Sequence, residues 1–405
     1  MSRDREGVPG AHRESPTRVA WVTNMAPPYR RPVWTAVAQS VDLRVVLLES
    51  DDQIARNQNN RGTDWLASHG PSHGYGLSAA RTVKVRRGEA RYYVCSPRTA
   101  LSVVKSADVV LLGGWESPAY WFIRAAAWAR RVRCVGFYES TESSTRHRGG
   151  AVGWIRRRWF RSLAAVVTPG ASATATLTNM GMARSRIFEG FNAVDVVSFH
   201  RAGAASTMPG QRSGSHRFIF VGQLIERKNV VRLIEAFFTL RGQGLDATLT
   251  LVGEGALLEQ INGLVAASRY GEHVTVLGHL DNSRLPGVFA EHDTLVMPSL
   301  DEVWGLVANE ALASGMHVIV SRRAGVTRSI AGMPGVHEVD PDTSTPSWQQ
   351  CARAERRSRG ELPIRRSWCT RRRLSPPYFS TRFIACDDWP AARAFRRCRG
   401  RSARP

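Results

Sequence analysis

The chain has 405 residues, 43% of them hydrophobic and 22% charged, a balance typical of a folded globular protein and contrary to wholesale disorder. No apolar run reaches the ~18 to 20 residues of a membrane span, and the polar start, residues 1–17, lacks the apolar stretch of a secretory signal. Six cysteines without a Cys-x-x-Cys pair argue against a disulfide scaffold and a zinc module, so a cytoplasmic setting is expected.

The net charge of +22 invites a nucleic-acid reading, but its make-up weakens it. Of 56 basic residues, only those at 84, 105 and 228 are Lys. A phosphate-binding surface mixes the two cations, so the skew reads as coding bias. Location matters as well: residues 341–405 carry 16 Arg against 5 acids, half of the excess.

After an arm at 1–17, expected to be disordered, the first strand is residues 18–23 (RVAWVT), followed by a turn at 24–28, a helix at 32–40 and a strand at 43–48. Residues 53–76 are rich in Asn, Gly, His and Ser and read as a loop. The pattern resumes with a strand at 108–112, Gly113-Gly114, a helix at 120–129 and a strand at 132–138. Short buried strands alternating with helices predict a parallel sheet covered on both faces. Residues 201–216 hold many breakers and no apolar period, which predicts a linker.

Beyond it, strands are predicted at 217–221, 247–252, 274–277, 294–297 and 317–320, with helices at 230–240, 257–267, 283–290 and 306–314. The fold class is therefore α/β, with two doubly wound Rossmann-like domains at 18–200 and 217–340. Such an arrangement leaves a cleft between the carboxyl ends of two sheets, where nucleotides bind. After residue 340 no period of two or 3.6 persists, and 341–405 holds 4 of the 6 Cys and 3 of the 12 Trp. That segment reads either as out-of-frame translation after a frameshift near 340 or as an authentic Arg-rich tail. Sequencing the locus separates the two.

Four constellations in the second unit carry chemistry. In Phe220-Val-Gly-Gln-Leu-Ile-Glu-Arg-Lys-Asn229 a strand ends at Gly222, and Arg227 and Lys228 precede a helix. Glycine admits close approach of a ligand, helix-start N–H groups favour anions, and the two cations suit phosphate. A solvated charge pair is the plainer alternative. Leu251-Val-Gly253-Glu254-Gly255 follows a strand and could line a nucleotide or only shape the turn. In the stretch 298–315, Glu302 sits in a loop and Glu310 in the helix behind it, with Gly305 and Leu306 at the helix start. Carboxylates there can accept hydrogen bonds from vicinal sugar hydroxyls, and free N–H groups can meet phosphate. A helix-stabilising acidic first turn accounts for only one of the two acids. The last constellation, Ser321-Arg-Arg-Ala-Gly325, would close the same cleft.

These pieces resemble the C-terminal domain of GT-B glycosyltransferases of the retaining group called family 4. The likeness extends to APPYRRPVW at 26–34, LLGGWESPAYW at 111–121 and VTPGASATATLTNMG with FNAVDVVSF around 167–199, and so covers roughly 18–340. The resemblance implies a nucleotide-sugar donor, such as a UDP- or GDP-sugar, and transfer with retention to a lipid, saccharide or small-molecule acceptor in cell-envelope polysaccharide or glycolipid assembly. It implies that Arg227 and Lys228 neutralise the donor diphosphate, Glu310 binds ribose hydroxyls and Glu302 sugar hydroxyls, with Gly222, Gly253, Glu254, Gly305 and Leu306 along the donor. It implies no metal and no other cofactor, the basic pair taking that electrostatic role.

On the acceptor side, Gly114, Trp115 and Glu139 end two first-unit strands and are expected at the cleft, with His147 at its border. WIRRRWFR at 154–161 interleaves aromatic and basic residues. It could rest on an anionic membrane at the cytoplasmic face, or be a core helix with a solvated basic face. Two departures from the family stand out. The fourth loop has Ala324-Gly325 and Arg328 where two glycines and an acid are common, and nothing after 340 resembles the helices that brace the two domains. Two other readings remain open: a nucleotide-binding remnant without turnover, and an Arg-rich nucleic-acid-binding protein. The second predicts salt-sensitive DNA binding that survives deletion of 341–405.

Overall fold

The computed structural model describes residues 16–50, 74–87, 90–140, 149–190, 192–205 and 215–342. The first unit runs β1 (Arg18–Thr23), a 3-10 turn (Pro28–Arg30), α1 (Arg31–Ala38), β2 (Asp42–Leu47), β3 (Gly76–Ala79), β4 (Thr82–Arg87), β5 (Ala90–Cys95), α2 (Pro97–Val104), β6 (Val109–Leu112), α3 (Pro118–Ala129), β7 (Arg133–Phe137), α4 (Gly150–Arg161), β8 (Ala165–Thr168), α5 (Ala171–Asn179), β9 (Ile187–Glu189) and α6 (Val196–Ala205). The second runs β10 (His216–Val221), α7 (Val230–Gly242), β11 (Ala247–Val252), α8 (Leu258–Ala267), β12 (Val274–Gly278), α9 (Leu285–Ala290), β13 (Thr294–Met297), α10 (Leu306–Ala313), β14 (His317–Ser321), α11 (Thr327–Ile330) and β15 (Val336–Val339).

Each unit has a parallel sheet. Among the described residues the first has the order β3-β2-β1-β6-β7-β8-β9 and the second β12-β11-β10-β13-β14-β15. Strands such as β6 and β13 are buried at every position, as continuous apolar runs in a sheet covered on both faces must be. In both sheets the chain builds outward from a central strand, returns, and builds the other way. The reversal falls between β1 and β6 in one unit and between β10 and β13 in the other. At such a point two loops diverge from the carboxyl ends and leave a crevice.

The helices bury one stripe each. In α7, Val230, Leu233, Ile234, Phe237 and Leu240 recur at helical spacing and are buried against the second sheet. Each such side chain contributes roughly 1.5 to 3 kcal/mol relative to an exposed one. By contrast, α10 buries Ala308, Asn309, Glu310, Ala311 and Ala313, nearly all round, because α6 covers its outer side.

That covering helix revises the expected linker at 201–216. The helix α6 continues to Ala205, and it packs on α9 and α10 of the second unit. Phe199 joins the second-unit core, and a Cβ on Gly203 would lie 2.4 Å from the carbonyl of Ser314. The small run Ala202-Gly203-Ala204 lacks an apolar period yet lets two backbones touch. Likewise Thr17, placed in the arm by the sequence, is buried, and its carbonyl accepts from the Asp42 N–H at 3.0 Å. Between β2 and β6 the structure adds an edge strand, a hairpin and α2, none of which the apolar pattern indicates. The hairpin is polar and largely exposed at β4. Residues 53–73 of the expected loop, His147 and all of the tail after residue 342 lie outside the described residues. Among the described residues no helix is long and apolar enough to cross a membrane.

Candidate active site

The loops leaving β10 and β11 are stitched together. Leu224 N–H donates to the carbonyl of Glu254 at 2.9 Å, and Leu257 N–H donates to that of Leu224 at 3.0 Å. At Gly253, φ is +136°, and a Cβ there would sit 1.9 Å from the carbonyl oxygen of Gly222. The glycines at 222 and 253 thus meet backbone to backbone at the carboxyl ends of adjacent strands. No other residue fits at 253. Glu254 is half-buried beside them.

The stretch after β13 runs back over the start of α7. Leu300 N–H donates to the Arg227 carbonyl at 2.8 Å, and the Arg227 guanidinium donates to the Asp301 carbonyl at 3.4 Å. The ammonium of Lys228 is ion-paired with the Glu302 carboxylate, with only 14% and 12% of the two side chains exposed. Arg227 remains exposed beside them. The loop after β14 closes on the same segment. Glu302 forms a parallel bridge with Ala324, and Gly325 N–H donates to the Glu302 carbonyl at 2.9 Å. Sequence reading brought Arg227, Lys228 and Glu302 to one place, and they do meet. It did not foresee that Lys228 and Glu302 would hold each other.

Gly305, with φ +101°, ends this loop and starts α10, followed by the half-buried Leu306. One turn on, Glu310 is only 6% exposed, and its carboxyl group has no hydrogen-bond or ionic partner among the described residues. Burial alone pushes its pKa up to about 7. An acid placed so has its hydrogen-bonding capacity in reserve.

In the first unit, Gly114, Trp115 and Glu116 follow β6, and Glu139 follows β7 by two residues, all at the carboxyl edge. A Cβ on Gly114 would lie 2.8 Å from the Tyr120 ring. Trp115 packs partly against the core beneath the Arg156 guanidinium, 5.8 Å from the ring centroid, so its face is already occupied. Arg156 is itself buried, which the basic run 156–158 did not suggest. The residue that sequence reading passed over is Arg30. It donates to Glu139 at 3.3 Å and to Asn192 Oδ1 at 3.4 Å, and stacks on Phe137 at 5.3 Å. Desolvation lowers its pKa, with Glu139 opposing. Its signal was the turn Pro-Pro-Tyr-Arg directly after β1, at the switch point.

The two carboxyl edges face each other. A Cβ on Gly170, after β8, would lie 2.8 Å from both the Trp304 ring and Ser329 Oγ, and Ser172 Oγ donates to the Gly325 carbonyl at 3.5 Å. The Arg30–Glu139 pair and the Lys228–Glu302 pair thus each follow carboxyl ends of strands, in two units that touch along these edges.

Residues 208–337 match the family model described as glycosyl transferases group 1. Glycogen synthase of Mycobacterium tuberculosis (strain ATCC 25618 / H37Rv) is 29% identical over 216 residues, 51% of this chain and 50% of that protein. The D-inositol 3-phosphate glycosyltransferase of Pseudarthrobacter chlorophenolicus is 34% identical over 125 residues, 30% of each chain. The chain thus spans about half the length, or less, of these curated relatives. Among solved structures, Anabaena HepE in complex with UDP aligns with TM-score 0.61 at 13% identity, covering 84% of this chain and 90% of that one. Sucrose-phosphate synthase from Thermosynechococcus elongatus aligns with TM-score 0.59 at 17% identity, covering 84% and 89%. Residues 208–337 are accordingly a glycosyl transferases group 1 domain, set in a chain with the two-domain architecture of GT-B glycosyltransferases.

Proposed function

We propose that the cleft binds a nucleotide-sugar donor and transfers its sugar, with retention and without a metal, to a lipid, saccharide or small-molecule acceptor in envelope polysaccharide or glycolipid assembly. The observation that carries this reading is Glu310, a buried carboxyl group with no partner among the described residues, in the helix that follows the loop holding the Lys228–Glu302 pair at a sheet switch point. Support also comes from the relatives, whose names are those of glycosyltransferases, and from structural neighbours that hold UDP or UDP-glucose.

In this reading the ribose hydroxyls donate to the Glu310 carboxylate, which recovers in binding what its desolvation costs the free protein. The diphosphate brings negative charge to Arg227 and Lys228. Lys228 then exchanges Glu302 for phosphate, and the released Glu302 carboxylate accepts from the sugar hydroxyls. As the bond to the sugar breaks, charge grows on the leaving phosphate, where the two cations stabilise it most. The leaving phosphate takes the acceptor proton on the same face, which gives retention. Glu139, held by Arg30, lies on the opposite wall and positions the acceptor.

The test is a thermal-shift screen of the full chain with UDP, GDP, ADP and their sugars. One nucleotide series should raise the melting temperature of the wild type and fail to do so in Glu310→Ala. Equal shifts in both proteins, or none in either, would remove the donor assignment. Turnover of the stabilising sugar nucleotide separates an enzyme from a nucleotide-binding remnant.

A further inference from the structure

The turn that carries Arg227 and Lys228 ends at Asn229, one of two non-glycine residues with positive φ among the described residues. Its φ and ψ are +60° and +33°, between the 3-10 turn Glu226–Lys228 and α7. Its N–H donates to the Glu226 carbonyl at 2.9 Å, and its own carbonyl accepts from the Leu233 N–H at 3.2 Å. The residue thus closes the turn and opens the helix. Glycine enters this conformation more freely than any L-residue, so the backbone alone does not call for Asn. What Asn adds is its carboxamide.

That carboxamide reaches two other segments. Nδ2 donates to the Pro298 carbonyl at 3.3 Å and to the Pro341 carbonyl at 3.1 Å. The first belongs to the loop after β13 and the second to the segment that leaves β15. A side-chain amide has two N–H donors, and these bonds use both. In the stretch that Pro298 begins, Leu300 N–H donates to the Arg227 carbonyl, the Arg227 guanidinium donates to the Asp301 carbonyl, and Glu302 pairs with Lys228. Residues 227–229 and 298–302 are therefore joined at both ends, by Asn229 at one and by the ion pair at the other. The segment after β15 has a further anchor in Arg232, which donates to the carbonyls of Pro341 and Asp342 at 3.0 and 3.2 Å.

We propose that Asn229 is a positioning residue of the donor site. Its carboxamide sets the separation of the 227–229 turn from the 298–302 loop, and through it the geometry in which Lys228 meets first Glu302 and then the diphosphate. Lys carries a point charge on a flexible stem, so its contribution depends on how firmly the adjoining backbone is held. Aspartate has the same shape, but its ionised carboxylate cannot donate and would face two carbonyl oxygens. The effect on the diphosphate rests on the donor reading given above; the effect on the ion pair stands without it.

The test uses the full chain with Asn229→Gly, which keeps the left-handed backbone without strain and removes the amide. Denaturant unfolding gives the coupling between Lys228→Met and Glu302→Gln, once in the wild type and once in Asn229→Gly. Most of the coupling should be lost in the second background. Equal coupling in the two, zero included, overturns the proposal. Arg232→Gln loosens residues 341 and 342 without touching the 298–302 loop, and should leave the coupling as it is in the wild type. An equal loss there would make general stability the cause and also overturn the proposal. The ligand arm is calorimetric titration with UDP, GDP and ADP, each against its own nucleoside. Asn229→Gly should weaken the diphosphate that the wild type binds by roughly tenfold and leave the nucleoside unchanged. A parallel loss of both would be a merely structural effect and would overturn the link to the diphosphate. Failure of the wild type to bind any of the three removes the donor reading, while the coupling measurement still decides whether Asn229 positions the ion pair.

Discussion

Lys228 and Glu302 come from different loops, 74 residues apart, and their side chains form one largely buried ion pair beyond the carboxyl ends of β10 and β13. The pair joins the segment that ends β10 to the segment that ends β13, the two strands between which the second sheet reverses. It therefore fixes the crevice and holds in one contact the two side chains that the proposed donor has to separate.

Lys228→Met should leave the Glu302 carboxylate half-buried without its cation. A loss of about 1 to 3 kcal/mol in unfolding free energy is expected, and Glu302→Gln added to it should recover part of that loss. Denaturant unfolding of the two single variants and the double variant measures the coupling. Additive losses would mean that the pair contributes no coupling of its own.

Glu310 predicts a pH dependence with a definite sign. Its pKa in the fold is about 7, above the ordinary 4.5, so between these values the folded protein binds more protons than the unfolded chain. Its contribution to stability is full below pH 4.5 and falls as pH rises to 7, by about 3 kcal/mol in total. Glu310→Gln should abolish that part of the decline, read from melting temperatures between pH 5 and 8. Nucleotide affinity should move the opposite way if ribose hydroxyls meet the ionised carboxylate. In the wild type it should drop by up to about tenfold per unit below pH 7, and in Glu310→Gln it should be flat.

Gly253→Ala should be among the most damaging small substitutions in the chain. The added carbon meets the Gly222 carbonyl at 1.9 Å, and φ is positive, so a loss of about 3 kcal/mol or more is expected. Gly263→Ala is the matched control. It lies exposed within α8 with open space around its Cα, and it should stabilise by about 0.5 to 1 kcal/mol. Chemical denaturation of both variants checks the pair.

Gly170→Leu tests the contact between the units. Its side chain would have to displace the Trp304 ring and Ser329, while φ at this position is extended and imposes no strain. The fold of each unit should survive, and the two should separate, which small-angle scattering would record as a larger radius of gyration. An unchanged radius would show that the Trp304 ring yields without moving the domain.

Much of this was legible in the amino-acid pattern. The strand at 247–252 follows from its alternation of apolar residues with Thr, that at 294–297 from an apolar run, and α7 from its 3.6-residue stripe, because burial against a sheet leaves a periodic mark on the sequence. Arg227, Lys228 and Glu302 were recognisable as one group because loops at a switch point converge. Less legible were α6, whose contact surface is made of Ala and Gly and so leaves no apolar period, and β4–β5, whose exposed strand has no buried face to mark.

The sequence by itself determined two α/β units and most of the strand–helix alternation of the second, since these depend on hydrophobic spacing and glycine placement. Only the tertiary structure decided that Lys228 holds Glu302, that Arg30 reaches Glu139, and that Glu310 is buried with no partner among the described residues. Those facts depend on what packs over each charged group: Glu310 lies in a helix buried nearly all round, and burial raises its pKa.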